Sequence, residues 1–244
     1  MRRRVAWRRP AAAALLAAAC GCLGYTELTP SDRREAQRGL LAGSDRYTRV
    51  SLYVTPFFGD DTRRLLSQDP PYELRMVFLP DGEPVIPGPT QKIIPAGTPA
   101  KILGVEFPTA WAIANRVTYT PRFQPWVLVG VKGEPADTPL VLVLPANLAN
   151  GSEVEAAVDR YLSRMPLKPL LGGLTERLKI AIRTKTALYD MTGDVLELTW
   201  GYPDEKVIGF DENGGRRETW IYAGGARKAI LVGGRVMELW PEPR

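Results

Sequence analysis

Between residues 46 and 145 the apolar positions alternate or gather in short runs. In RYTRVSLYVTP, Tyr47, Arg49, Ser51 and Tyr53 fall on one side of an extended chain. Val50, Leu52 and Val54 fall on the other, a period of two that predicts a strand. YELRMVFLPDGEPV reads as a strand running into a Pro-Asp-Gly turn, and IIPAGTPAKILGVEFP as a strand entered from a Pro-Ala-Gly turn. PWVLVGVKG and PLVLVLP are continuous apolar runs bounded by Gly and Pro, as buried strands are. Many short strands with Pro- and Gly-rich turns predict a small all-β barrel or sandwich over 46–165.

Helical spacing takes over at residue 151. Ser152 and Glu155 have the spacing of a capping box, and Val154, Val158, Tyr161, Leu162 and Met165 form one apolar stripe, predicting a helix over 151–165. Pro166 and Pro169 stop it, so 166–173 is expected to be a linker. From 174 on, Leu174, Leu178 and Ile182 share a helical face. Thr192 is expected to cap a second helix, with Met191 and Leu196 as its hydrophobic staple; Gly201 ends it and Pro203 prevents a restart. Three strands follow: KVIGF, RETWIYA, and RKAILV with GRVMELW folded back at Gly233-Gly234. The expected fold class is α+β: a small β domain over 46–165 and, over 174–244, two helices on a three-stranded antiparallel sheet.

The N-terminus has a different character. Residues 1–10 carry five arginines and no acid, residues 11–19 are only Ala and Leu, and Cys20 and Cys22 are the chain's two cysteines. A positive segment, a short apolar segment and small residues before a break are the parts of a secretory signal. The apolar run is too short for a membrane span, which takes about 20 residues. A cysteine directly after the small residues resembles the bacterial lipoprotein signal, in which a thiol takes a lipid and the signal, here 1–19, is removed. Cys20 is preferred as the acylated residue and Cys22 is the alternative. Neither is followed by Asp, which by the same resemblance implies an outer-membrane address facing the periplasm. Residues 20–45 are polar; they are expected to be a tether, with a short helix opening at Pro30. Losing five arginines leaves 27 basic against 27 acidic residues, so the basic full chain carries no argument for nucleic acid.

Two resemblances follow from particular residues. IPAGTPAKI is similar to the opening of bacterial SH3-like barrels. Met191, Thr192, Val195, Gly201, Pro203, Trp220, Tyr222 and Gly234, in that order and spacing, resemble the SmpA/OmlA (BamE-like) outer-membrane lipoproteins. The sequence departs from that pattern at Asp190 and Trp200. The resemblance implies a two-helix, three-strand domain that binds envelope proteins in support of β-barrel assembly.

Chemistry narrows the choice further. The chain has no histidine, and both cysteines sit at the expected anchor, which removes His- and Cys-based catalysis and the usual zinc sites. No phosphate-loop or nucleophile-elbow pattern is present. Asp60-Asp61 and Asp211-Glu212 are adjacent acids in polar turns, where solvation is the ordinary role. No catalytic residue, metal or cofactor is expected. Trp220 and Tyr222 share a strand face and Tyr202 precedes them, which makes these three the candidate protein-binding aromatics. FPTAWAIANRVTYTPRFQPW is a second aromatic-rich stretch, able to line a groove for peptide or glycan. The expected protein is a non-catalytic lipoprotein scaffold for envelope or outer-membrane proteins, with peptidoglycan as the alternative partner and a carboxylate-dependent envelope hydrolase as the third reading.

Overall fold

The computed structural model describes residues 28–210 and 214–241. In chain order the elements are α1 (Pro30–Ala42), β1 (Asp45–Thr48), β2 (Leu52–Phe57), β3 (Asp60–Ser67), β4 (Lys92–Ile94), β5 (Pro99–Glu106), α2 (Ala110–Asn115), β6 (Trp126–Val131), β7 (Leu140–Val143), α3 (Gly151–Asp159) and β8 (Leu162–Ser163). Then come α4 (Lys168–Gly172), α5 (Glu176–Thr184), α6 (Gly193–Trp200), β9 (Glu205–Phe210), β10 (Arg216–Tyr222), β11 (Arg227–Val232) and β12 (Arg235–Trp240).

The first eight strands form one mixed sheet in the order β4-β2-β3-β7-β6-β5-β1-β8, antiparallel throughout except for the parallel pair β3 and β7. Its central strands are buried on both faces. Val127, Val129, Leu140 and Leu142 enter a core capped by Ala36 and Leu40 of α1 and Val154 and Val158 of α3. Trp126, Val141 and Val143, at the alternate positions, pack with Phe57, Phe58 and Leu74 on the opposite side. Burial on both faces is why β6 and β7 are unbroken apolar runs. The two helices lie so close that a Cβ on Gly151 would fall 3.1 Å from the Asp32 carbonyl oxygen.

The second sheet, β12-β11-β10-β9, is antiparallel and four-stranded, with α5 and α6 on its inner face. Gly233 and Gly234, both at positive φ, make the β11–β12 turn.

This architecture corrects the expected fold class. The first part is an eight-stranded mixed sheet with helices packed on it, not a small SH3-like barrel or sandwich. The second is not a two-helix, three-strand unit: RKAILV and GRVMELW are separate strands, and its core also takes in Ala96 from the β4–β5 turn and Leu171 of α4. Residues 30–42, expected within a tether, form a helix capped by the Thr29 hydroxyl, and Ala36 and Leu40 are fully buried. Its many arginines hid that narrow apolar stripe. The expected linker contains α4, whose Leu171 packs beside Gly97. The helix predicted to 165 ends at Asp159, because Leu162 and Ser163 pair with Thr48 and Tyr47 of β1. Its cap is Asn150 rather than Ser152: Asn150 accepts from the Glu153 amide, and Glu153 reaches back to the Ala149 amide. The capping-box logic holds two residues earlier.

Candidate functional site

A concavity of about 460 Å³ lies beside α2 on the first sheet, lined by Asp60, Thr62, Arg63, Glu106, Trp111, Asn115, Arg116 and Trp126. Its floor is Trp126, whose indole N–H donates to the Pro121 carbonyl at 2.9 Å. The Arg116 guanidinium stacks 3.6 Å from the centre of that ring. Arg116 donates to the carbonyls of Arg122, Gln124 and Glu106 at 2.7, 2.8 and 2.9 Å, so it staples the 116–125 loop to the end of β5. Burial, with Arg63 adding to it and Glu106 opposing, brings its pKa down to about 10.

Arg63 spans the cleft between two acids. It donates to Asp60 at 2.9 Å and to Glu106 at 3.2 Å. Asp60 sits at the start of β3, where it also accepts from the amide and hydroxyl of Thr62. Burial pushes the Asp60 carboxyl up, but the Thr62 and Arg63 hydrogen bonds outweigh it and hold the group below the usual range. An acid stabilised as the anion is a poor proton donor, so Asp60 is placed to accept hydrogen bonds. Trp111, on α2 at the rim, is 77% exposed. The indole, a fixed set of carboxylate acceptors and guanidinium and amide donors surround one cavity of ligand size.

A second polar cluster joins the two sheets and is closed to solvent. Lys185, the left-handed C-cap of α5 at φ 54°, is 4% exposed and donates to the carbonyls of Ser51 and Thr199 at 2.6 and 2.8 Å. Arg227 binds Asp69 at 2.6 Å and Glu73 at 2.7 Å. Ser51 donates to the Ile182 carbonyl at 2.6 Å, and the Gln68 amide pairs both ways with the backbone of Tyr202. Burial depresses the Lys185 pKa strongly, Arg227 adding to the effect while Asp69 and Glu73 oppose it. The amine's hydrogen bonds go to main-chain carbonyls, so the cluster acts as a joint.

The sequence-predicted site residues land elsewhere. Cys20 and Cys22 lie outside the described residues, as do Asp211 and Glu212. Trp220 and Tyr222, the candidate binding aromatics, are 4% and 0% exposed. They point at the helices: Tyr222 meets Trp200 edge to face at 5.3 Å, and a Cβ on Gly193 would fall 2.8 Å from the Trp220 ring. Both belong to the core of the second sheet. Tyr202 is half-buried between the guanidiniums of Arg49 and Arg160, at 5.6 and 5.4 Å. The cleft collects Asp60, read as a solvated turn acid, and Trp111, Asn115, Arg116 and Trp126 from the second aromatic stretch. Glu106 and Arg63 carried no sequence signal, because only the sheet brings them together.

Among the described residues no group of three or more His, Cys, Asp or Glu side chains is placed to hold a metal, and no helix is long and apolar enough to cross a membrane. Neither family models, nor curated proteins, nor solved structures give a match to this chain.

Proposed function

We propose that this protein is a non-catalytic, lipid-anchored protein of the bacterial envelope that binds a glycan chain in the cleft beside α2. The single observation that carries the reading is the pairing of exposed Trp111 with the Asp60–Arg63–Glu106 bridge across one cavity. A pyranose ring has an apolar C–H face and a rim of hydroxyls that both donate and accept. An exposed indole matches the first, and a mixed set of carboxylates, guanidinium and amide matches the second. The Asp60–Arg63–Glu106 bridge holds these side chains in one arrangement, which limits the side-chain entropy lost on binding. The cell-wall polymer is the glycan an envelope protein meets, and the anchor reading rests on residues 1–22. With Trp220 and Tyr222 in the core, the aromatic face that favoured a protein scaffold is gone, and the glycan alternative takes its place.

The test is co-sedimentation of the purified chain with sacculi, followed by titration with soluble wall fragments. Binding that drops at least tenfold in Trp111→Ala and in Glu106→Gln supports the cleft. A chain that stays in the supernatant, or binding that both substitutions leave intact, removes the proposal.

A further inference from the structure

The second sheet ends on a strand without the usual protections. β9 has β10 on one side and, among the described residues, no strand on the other. Half of its backbone N–H and C=O groups therefore face outward. Natural edges are guarded by lysines, prolines, bulges or a covering element. Here the β9–β10 ladder runs from Glu205 to Phe210 without a register shift, and the strand contains no proline. Its one cation, Lys206, is engaged on the helix side, with Nζ 2.7 Å from Glu197 and 3.7 Å from the centre of the Trp220 ring, although its side chain stays 40% exposed. What the edge displays is apolar: Val207, Ile208 and Phe210 are 46%, 58% and 76% exposed. Ile208 and Phe210 share the helix-facing side with Lys206, and Val207 and Gly209 lie on the other.

We infer that β9 pairs with β9 of a second copy of this chain, antiparallel about a two-fold axis normal to the sheet, so that two four-stranded sheets become one of eight. The strand is self-complementary in that arrangement. With Ile208 opposite its own copy, Phe210 faces the aliphatic stem of Lys206, and Val207 faces Gly209. Nothing lies within 4 Å of the Cβ position of Gly209, so the opposing side chain has room. Within 206–210 no like charges meet, while continuing the register would set Glu205 against Asp211. The two-residue slip that keeps the same faces aligned would set Asp204 against Phe210 and Glu205 against Gly209, and would cover less apolar surface. An isologous contact closes on itself, so it ends at a dimer instead of growing into a fibre. The interface is small, and its association is correspondingly weak.

Sedimentation velocity on the full chain, at concentrations on the order of 100 µM where weak contacts are populated, tests this directly. The expected result is a concentration-dependent dimer. Ile208→Lys and Val207→Lys each place an exposed lysine on an edge strand, so both should keep the melting temperature while weakening self-association at least tenfold. A monomer across that range overturns the inference, as does a dimer that survives both substitutions. These readouts do not involve the cleft beside α2, so the two proposals fail independently.

Discussion

Arg227 on β11 donates through Nε to Glu73 at 2.7 Å, although the two residues stand 154 positions apart. The same guanidinium reaches Asp69 and lies 4.8 and 5.3 Å from the ring centres of Trp200 and Tyr222. Both acids precede β4, so this side chain rivets the second sheet to the first. Removing it leaves two buried carboxylates facing each other. Arg227→Met should therefore destabilise the whole chain by about 3–5 kcal/mol. Urea unfolding followed by tryptophan fluorescence and by far-UV circular dichroism should give one coincident transition in the unmodified protein. Two separated transitions would show that the halves unfold independently and that the rivet is ornamental.

The same joint sets an alkaline stability profile. Because burial depresses Lys185, the unfolded lysine, near pKa 10.4, holds its proton more tightly than the folded one. Below that pH the unfolded state binds the extra proton, so this residue makes stability rise as pH increases toward about 10. Tyr53 works in the opposite sense. Burial raises its phenol to about 12, against about 10 when unfolded. Its contribution is whole below about pH 10 and is lost between there and about 12. Urea midpoints across that range should show a shallower rise in Lys185→Met and a shallower fall in Tyr53→Phe. An unchanged rise in Lys185→Met would mean the amine titrates normally.

Tyr222 offers a sharper packing test. Its ring is fully buried, and its hydroxyl makes no hydrogen bond among the described residues. A buried hydroxyl without a partner costs on the order of 1–3 kcal/mol. Tyr222→Phe should therefore be neutral or stabilising, by up to about 1 kcal/mol, whereas Trp220→Ala should cost about 3–5 kcal/mol by opening a cavity. Loss of stability in Tyr222→Phe would reveal a partner for the hydroxyl.

Two glycines separate backbone strain from steric conflict. Gly201 has φ 97°, and a Cβ there would stand 2.4 Å from Oε1 of Gln68, the amide that holds Tyr202. Gly214 has φ 78° with nothing within 4 Å of the same position. Gly214→Ala should cost about 1 kcal/mol from strain alone, and Gly201→Ala at least twice that. Equal urea midpoints for the two variants would count against the Gln68 contact.

Local chemistry was readable along the chain, and arrangement was not. Gly233-Gly234 declared its hairpin, and the runs in β6 and β7 declared burial. The parallel pairing of β3 with β7 had no local signal, since strands some seventy positions apart meet only when the sheet assembles. The helix opening at Pro30 was legible, but its packing into the core was not, because arginines outnumber its two buried side chains. At the cleft the aromatic stretch was visible, but Asp60 looked like any turn acid until Arg63 and Thr62 closed around it. Trp220 and Tyr222 show the converse limit: alternation tells which residues share a face, not which face meets solvent.

The early start of the first helix limits how far the protein can reach. Leu28 is already buried in the core, and Cys20 lies only eight residues before it. A chain extends at most about 3.6 Å per residue, so a lipid on Cys20 would keep Leu28 within about 29 Å of its attachment point. Such a leash would confine the cleft to a layer beside the bilayer. A ligand would then have to come to the protein, and the concentration that matters for binding would be the one in that layer.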